Sequence, residues 1–107
     1  MTVIGTLRHR ITLESPQRIA TEGGAASVAW NPVADVFAQV KPLAGREIVS
    51  ADGVSARLTH EIVIRWRSDL EPRMRIRLDG RVLDIHAVLD VDARRRWLRC
   101  LCEERQA

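Results

Sequence analysis

The sequence predicts an all-β fold: a small antiparallel β-barrel or sandwich of about six strands, with a long connecting arm able to hold a short helix. Three observations predict it. Apolar residues recur with a period of two in several segments, turn-forming dipeptides separate those segments at short intervals, and no long stretch repeats apolar residues at helical spacing. With 107 residues there is room for one domain, 1–107, built around one core.

The first strand is expected over Arg8–Ser15. Ile11 and Leu13 point one way with Leu7 in phase, while Arg8, Arg10, Thr12 and Glu14 point the other. Pro16 is expected to end it, and Thr21 to Ala26 reads as a loop. Asn31-Pro32 is a further turn signal, which leaves Val28–Trp30 as a short strand or a strand end. Val33 to Val40 is densely apolar, with Val36, Ala38 and Val40 on one face. Because proline cannot donate to a ladder, this strand is expected to leave the sheet at or before Pro42.

Gly45 to Arg57 reads as a connecting arm. Arg46-Glu47-Ile48-Val49-Ser50-Ala51 could form a short helix after Gly45, but Asp52-Gly53 limits it to about two turns, which is marginal without packing. Alternation resumes at Thr59–Arg67, where Ile62, Ile64 and Trp66 share the inner face. Met74, Ile76 and Leu78 then face inward and Arg73, Arg75 and Arg77 outward. Asp79-Gly80 between alternating flanks is a strong hairpin signal, since both central residues of a type I′ turn need positive φ. On the return limb Leu83, Ile85, Ala87 and Leu89 are expected inside and Asp84, His86 and Asp90 outside, with Asp84 and Asp90 placed to pair with the arginine face. Asp92-Ala93-Arg94 makes the next turn. The last strand, Arg96–Glu103, divides into Leu98, Cys100 and Cys102 on one face and Trp97, Arg99 and Leu101 on the other.

Several functional classes lose support from the same residues. Cys100 and Cys102 lie two apart in a strand, with α-carbons roughly 6.5–7 Å apart, at the limit for a disulfide and without the second cluster a zinc site needs. Buried, reduced thiols are expected. His9, His60 and His86 are isolated, no serine sits in a nucleophile frame, and Gly23-Gly24 lacks the Lys-Ser/Thr of a phosphate loop. No enzyme activity, metal, cofactor, small-molecule substrate or membrane span is therefore expected, and the N-terminus lacks the order of a signal peptide.

The charge is unusual in kind. Net charge is only +3, yet among 17 basic residues the sole lysine is Lys41. Arginine's planar fork suits carboxylates and phosphates. Nucleic-acid binding by an OB-like barrel through Arg73, Arg75 and Arg77, joined by Arg94–Arg96, is one reading. It is weakened by the small number of aromatics, Trp30, Phe37, Trp66 and Trp97, of which Trp97 is the best candidate for exposure. The other reading is a protein contact, because the last strand carries bulky apolar groups on both faces.

An ordered series of short motifs sharpens the choice. It comprises Leu7-Arg8-x-Arg10-Ile11-Thr12-Leu13, Val36-Phe37-Ala38-Gln39-Val40-Lys41-Pro42-Leu43 with Gly45-Arg46-Glu47, and Thr59-His60-x-Ile62-x-Ile64-Arg65-x-Arg67. Arg75-Ile76, Gly80-Arg81 and Leu98-x-Cys100-x-Cys102-Glu103-Glu104 complete it. Over nearly the whole chain this series resembles the head–tail joining (head-closure or stopper) proteins of long-tailed phages and their gene transfer agent relatives. Phe37 stands where that family commonly has tryptophan, and Leu83 where an aromatic often follows Gly-Arg.

The resemblance implies a structural β-barrel subunit at the head–tail junction of a virion or phage-like particle, assembled in the host bacterial cytoplasm. It implies a homo-oligomeric ring, adaptor and portal proteins above, the tail terminator or tail tube below, and packaged double-stranded DNA passing through. The expected assembly contacts are Arg46, Glu47, Ile48, Asp52 and Gly53 on the arm, Arg73, Arg75 and Arg77 on the hairpin, and Trp97, Arg99 and Leu101 on the last strand.

Overall fold

The computed structural model describes residues 7–20, 23–24, 26–49 and 55–105. Six antiparallel strands follow in chain order: β1 (His9–Ala20), β2 (Ala26–Val49), β3 (Ser55–Arg65), β4 (Arg75–Leu78), β5 (Arg81–Asp90) and β6 (Trp97–Glu104). They close into a barrel in the order β1-β2-β3-β6-β5-β4. Within the barrel wall, closure gives each strand a neighbour on both sides.

The inward sets are largely those the period-two pattern predicts. Ile11, Leu13, Ala38, Ile62, Ile64, Ile76, Leu83, Cys100 and Cys102 are all essentially inaccessible to solvent. Val36, Val40 and Val88 pack against this core from its margin. Leu70 and Met74, from the connection between β3 and β4, are buried with it. Each fully buried aliphatic side chain contributes about 1.5–3 kcal/mol relative to exposure, so this core dominates stability.

The Asp79-Gly80 turn forms as expected, with φ of 49° at Asp79 and 81° at Gly80 between the paired Leu78 and Arg81. β4, β5 and β6 make the meander. The turn before β6 is a short 3-10 segment, Val91–Ala93, with positive φ at Asp92, Ala93 and Arg95. Asp90 stabilises it by accepting the Arg95 backbone N–H on both carboxylate oxygens, at 3.0 and 3.2 Å.

Five expectations are corrected. Pro16 does not end β1, and Asn31-Pro32 is not a turn. β1 and β2 continue as a paired hairpin, with Pro16 opposite Trp30 and Glu14 opposite Pro32. The prolines are tolerated because, beyond Glu14, neither strand has a second neighbour among the described residues. Likewise β2 passes through Pro42. The register shifts between Pro42 and Arg46, so the missing N–H falls at an irregularity where the ladder is already broken. The described part of the arm is strand rather than helical turn: Arg46 to Val49 pair with Leu58 to Ser55. Finally, a bulge between Ile85 and Ala87 inverts the phase of β5, so Val88 joins the core and Leu89 is exposed.

The result is one 24-residue strand, β2, that serves two ladders. Its first half pairs with β1 and its second half with β3. At roughly 3.3 Å per residue such a strand far outruns the height of a small barrel, so it carries a hairpin beyond the barrel wall at each end.

Candidate assembly surface

The arginine face of β4 is not a uniform cationic track. Arg75 lies nearly buried beside Glu14, its Nε donating to Oε1 at 2.6 Å, and its guanidinium covers the Trp30 ring at 4.2 Å. β1 places Glu14 here because Glu14 is the Cα partner of Arg75 in the β1–β4 ladder. Arg73 pairs with Glu71 at 2.5 Å. Arg77 alone of the three makes no ion pair among the described residues. The expected pairing with Asp84 and Asp90 does not form. Asp84 accepts from Arg105 at 2.7 Å, and Asp90 caps the turn before β6.

The outer face of β6 divides as the alternation predicts and continues across β3 onto β2. Trp97 and Leu101 are half-buried and Arg99 is exposed, with Arg99 ion-paired to Glu61 across the β3–β6 ladder. Trp97, Arg99 and Glu61 join Gln39, Lys41 and Val63 around a shallow depression of about 260 Å³. Three of the expected contact residues are therefore placed on one strand, and two of them line one concavity. Trp97 is less open than expected, because Arg65 lies over its ring at 5.3 Å.

On the arm, Arg46, Glu47 and Ile48 stand opposite Leu58, Arg57 and Ala56 in the β2–β3 ladder. Asp52 and Gly53 lie outside the described residues. At the base of the arm, His60 is buried and hydrogen-bonded at both ring nitrogens. Nε2 lies 3.1 Å from Arg81 and Nδ1 2.9 Å from the Thr59 hydroxyl. Arginine can only donate, so Nε2 accepts and the imidazole proton belongs on Nδ1. Burial, then the Arg81 charge, hold the His60 pKa below its ordinary value, with Glu104 opposing. Arg81 in turn clamps Glu104 through two bonds, at 3.0 and 2.6 Å, which holds the Glu104 carboxyl below the usual range.

Trp66 departs from the expected core position. β3 ends at Arg65, so Trp66 escapes the alternation; its backbone N–H donates to the Arg96 carbonyl at 2.9 Å and its ring stays substantially exposed under Arg95. With Phe37 it forms an exposed aromatic pair that the period-two pattern did not single out. The signal was present in the outward phase of Phe37, between the inward Val36 and Ala38.

No group of three or more His, Cys, Asp or Glu among the described residues could hold a metal. Both cysteines are free and buried; burial pushes the Cys100 thiol up to about 12 and the Cys102 thiol further. No helix among the described residues is long and apolar enough to cross a membrane.

The chain and its barrel are similar to known proteins. A family model described as phage head completion protein covers residues 3–105. The chain belongs to that family. It is a structural family of the phage head rather than an enzyme class. Among solved structures, a chain in the virion of a native gene transfer agent particle is similar at 26% identity with a TM-score of 0.70, over 94% of this chain and 97% of that one. The solution structure of protein SF1141 from Shigella flexneri 2a is similar at 30% identity and a TM-score of 0.69, over 96% of each chain. No curated protein matches significantly. The resemblance in the motif series and the barrel expected from alternation are both borne out.

Proposed function

We propose that this phage head completion protein is a head–tail connector subunit of a phage or phage-like particle. It assembles as a ring between the portal–adaptor complex and the tail and helps retain packaged DNA. The single observation that carries the reading is β2, which runs from one projecting hairpin through the barrel wall into the other. A subunit built this way reaches both its neighbours and the ring axis from one continuous strand. Similarity to a chain in a gene transfer agent virion supports the setting.

The partners follow from that position: other copies of the chain, adaptor and portal on one side, tail terminator or tail tube on the other, and double-stranded DNA along the axis. The arm bearing Arg46, Glu47, Ile48, Asp52 and Gly53 is the element for subunit or channel contact. Trp97, Arg99 and Leu101 offer a half-apolar face with a central ion pair, suited to a protein partner. Nucleic-acid binding along Arg73, Arg75 and Arg77 is disfavoured, because Arg75 is consumed by Glu14 and Trp30.

Replacing Val49–Ala56 with a short Asn-Gly turn tests the reading. The barrel should keep its thermal transition while particles lacking the native protein fail to join tails. Unchanged joining would overturn the role given to the arm.

A further inference from the structure

β2 loses its second neighbour where it leaves the barrel. It pairs with β3 only from Gln39 onward, and among the described residues its earlier part pairs with β1 alone. Every second residue there points its N–H and C=O away from β1, along an edge with no strand beside it among the described residues. The edge carries no lysine, and Val28 and Val33 on it are exposed.

The divergence of β2 from the end of β3 opens a groove of about 300 Å³, lined by Leu7, Val36, Phe37, Arg65, Trp66 and Arg67. Phe37 is 59% exposed and Trp66 36%. Three guanidinium groups surround this apolar floor. Asp69 holds Arg67 with two bonds at 3.0 and 2.9 Å, Arg95 stands over Trp66 at 5.8 Å, and Arg65 over Trp97 at 5.3 Å. A guanidinium held near a ring face by cation–π attraction keeps N–H donors available to carboxylates. Among the described residues Asp69 is the one carboxylate ion-paired to these three guanidinium groups, while Asp90 accepts only the Arg95 backbone N–H and Asp35, nearby on β2, faces Arg10 on β1.

We infer that this groove docks an extended acidic segment of a protein partner, which adds to the open edge of β2 as a further strand. Main-chain bonds to β2 supply affinity, an apolar side chain seats between Phe37 and Trp66, and carboxylates on the segment meet Arg65, Arg67 and Arg95. A nucleic acid fits less well. Guanidinium groups already occupy faces of Trp66 and Trp97, and a strand edge offers bases and phosphates nothing they need. The inference goes beyond the connector reading and does not depend on ring formation.

The test uses the full chain and a fluorescein-labelled, acetylated peptide of about eight residues that alternates valine with glutamate around one phenylalanine. Fluorescence anisotropy should give saturable binding with a Kd of about 1–100 μM. Methylating alternate peptide amides, or replacing glutamate with lysine, should abolish it. Phe37→Ala and Trp66→Ala should each weaken binding at least about tenfold without moving the thermal transition, as both rings are exposed. If either aromatic variant unfolds, Arg67→Glu carries the same expectation. Absence of binding up to about 1 mM peptide, undiminished binding by the variants, or full binding of the methylated peptide would each overturn the inference. Tighter binding of an oligothymidine of about twelve nucleotides would assign the groove to nucleic acid instead.

Discussion

Replacing Arg75 with alanine is expected to unfold this protein far more readily than any other single arginine substitution. The Arg75 and Glu14 side chains retain only 11% and 9% of their exposure and meet at 2.6 Å. At an effective dielectric of about 20, opposite charges some 4 Å apart attract by about 4 kcal/mol, and much of that offsets their desolvation. Removing one partner leaves the other buried and uncompensated, at a cost of about 3–5 kcal/mol. Arg75→Ala also uncovers the Trp30 ring, now 4.2 Å from the guanidinium, which places it toward the upper part of that range. For a domain of this size, 3 kcal/mol lowers Tm by roughly 12 °C or more. The assay is urea unfolding of the wild type, Arg75→Ala, Glu14→Ala and an Arg75→Met, Glu14→Leu double variant. Each single variant should lose about 3 kcal/mol or more, while the double apolar variant should lie within about 1–2 kcal/mol of wild type. A loss below about 1 kcal/mol in Arg75→Ala, the range of an exposed pair, would refute the placement of this pair inside the fold.

Other perturbations have directions fixed by the structure. His60 has a lowered folded pKa, so the unfolded chain takes up its proton more readily, and its stabilising contribution, present above the unfolded value near 6.5, is lost as pH falls through the folded value. His60→Asn should flatten the stability-versus-pH curve below about pH 6.5, as measured by urea titration at successive pH values; an unchanged slope would contradict it. Gly80→Ala meets no neighbour within 4 Å, but its φ of 81° should still cost about 1 kcal/mol in a thermal melt. Cys100 and Cys102 should react with a thiol reagent only after denaturation, because burial pushes the Cys100 pKa up to about 12.

The barrel was legible because its signals are local. Alternation in Met74-Arg75-Ile76-Arg77-Leu78 and the positive-φ demand of Asp79-Gly80 each depend on a few adjacent residues, and both appear as expected. The errors fall where tertiary context overrides a local rule. Pro16 and Pro32 read as breakers, yet both sit on a hairpin open on its outer sides, where a missing donor costs little. The extra residue at His86 inverts β5, and nothing in the local composition announces a bulge there. Trp66 continues the phase of Ile62 and Ile64, but β3 has already ended.

The candidate surface was half legible for the same reason. The outward phase of Trp97, Arg99 and Leu101 is a property of one strand. The capture of Arg75 by Glu14 joins residues 61 positions apart, and the groove at Phe37 and Trp66 arises from the divergence of two strands. A run of outward arginines looks the same in sequence whether its members face solvent or a buried carboxylate.

The measurement that bears most directly on the connector role is native mass spectrometry of the protein alone and with an assembled portal–adaptor complex. A connector subunit should give a complex that gains several copies of this chain, enough to close a ring, whatever the state of the isolated protein. Saturation at a single copy, or no association alongside tight binding to free DNA, would contradict it.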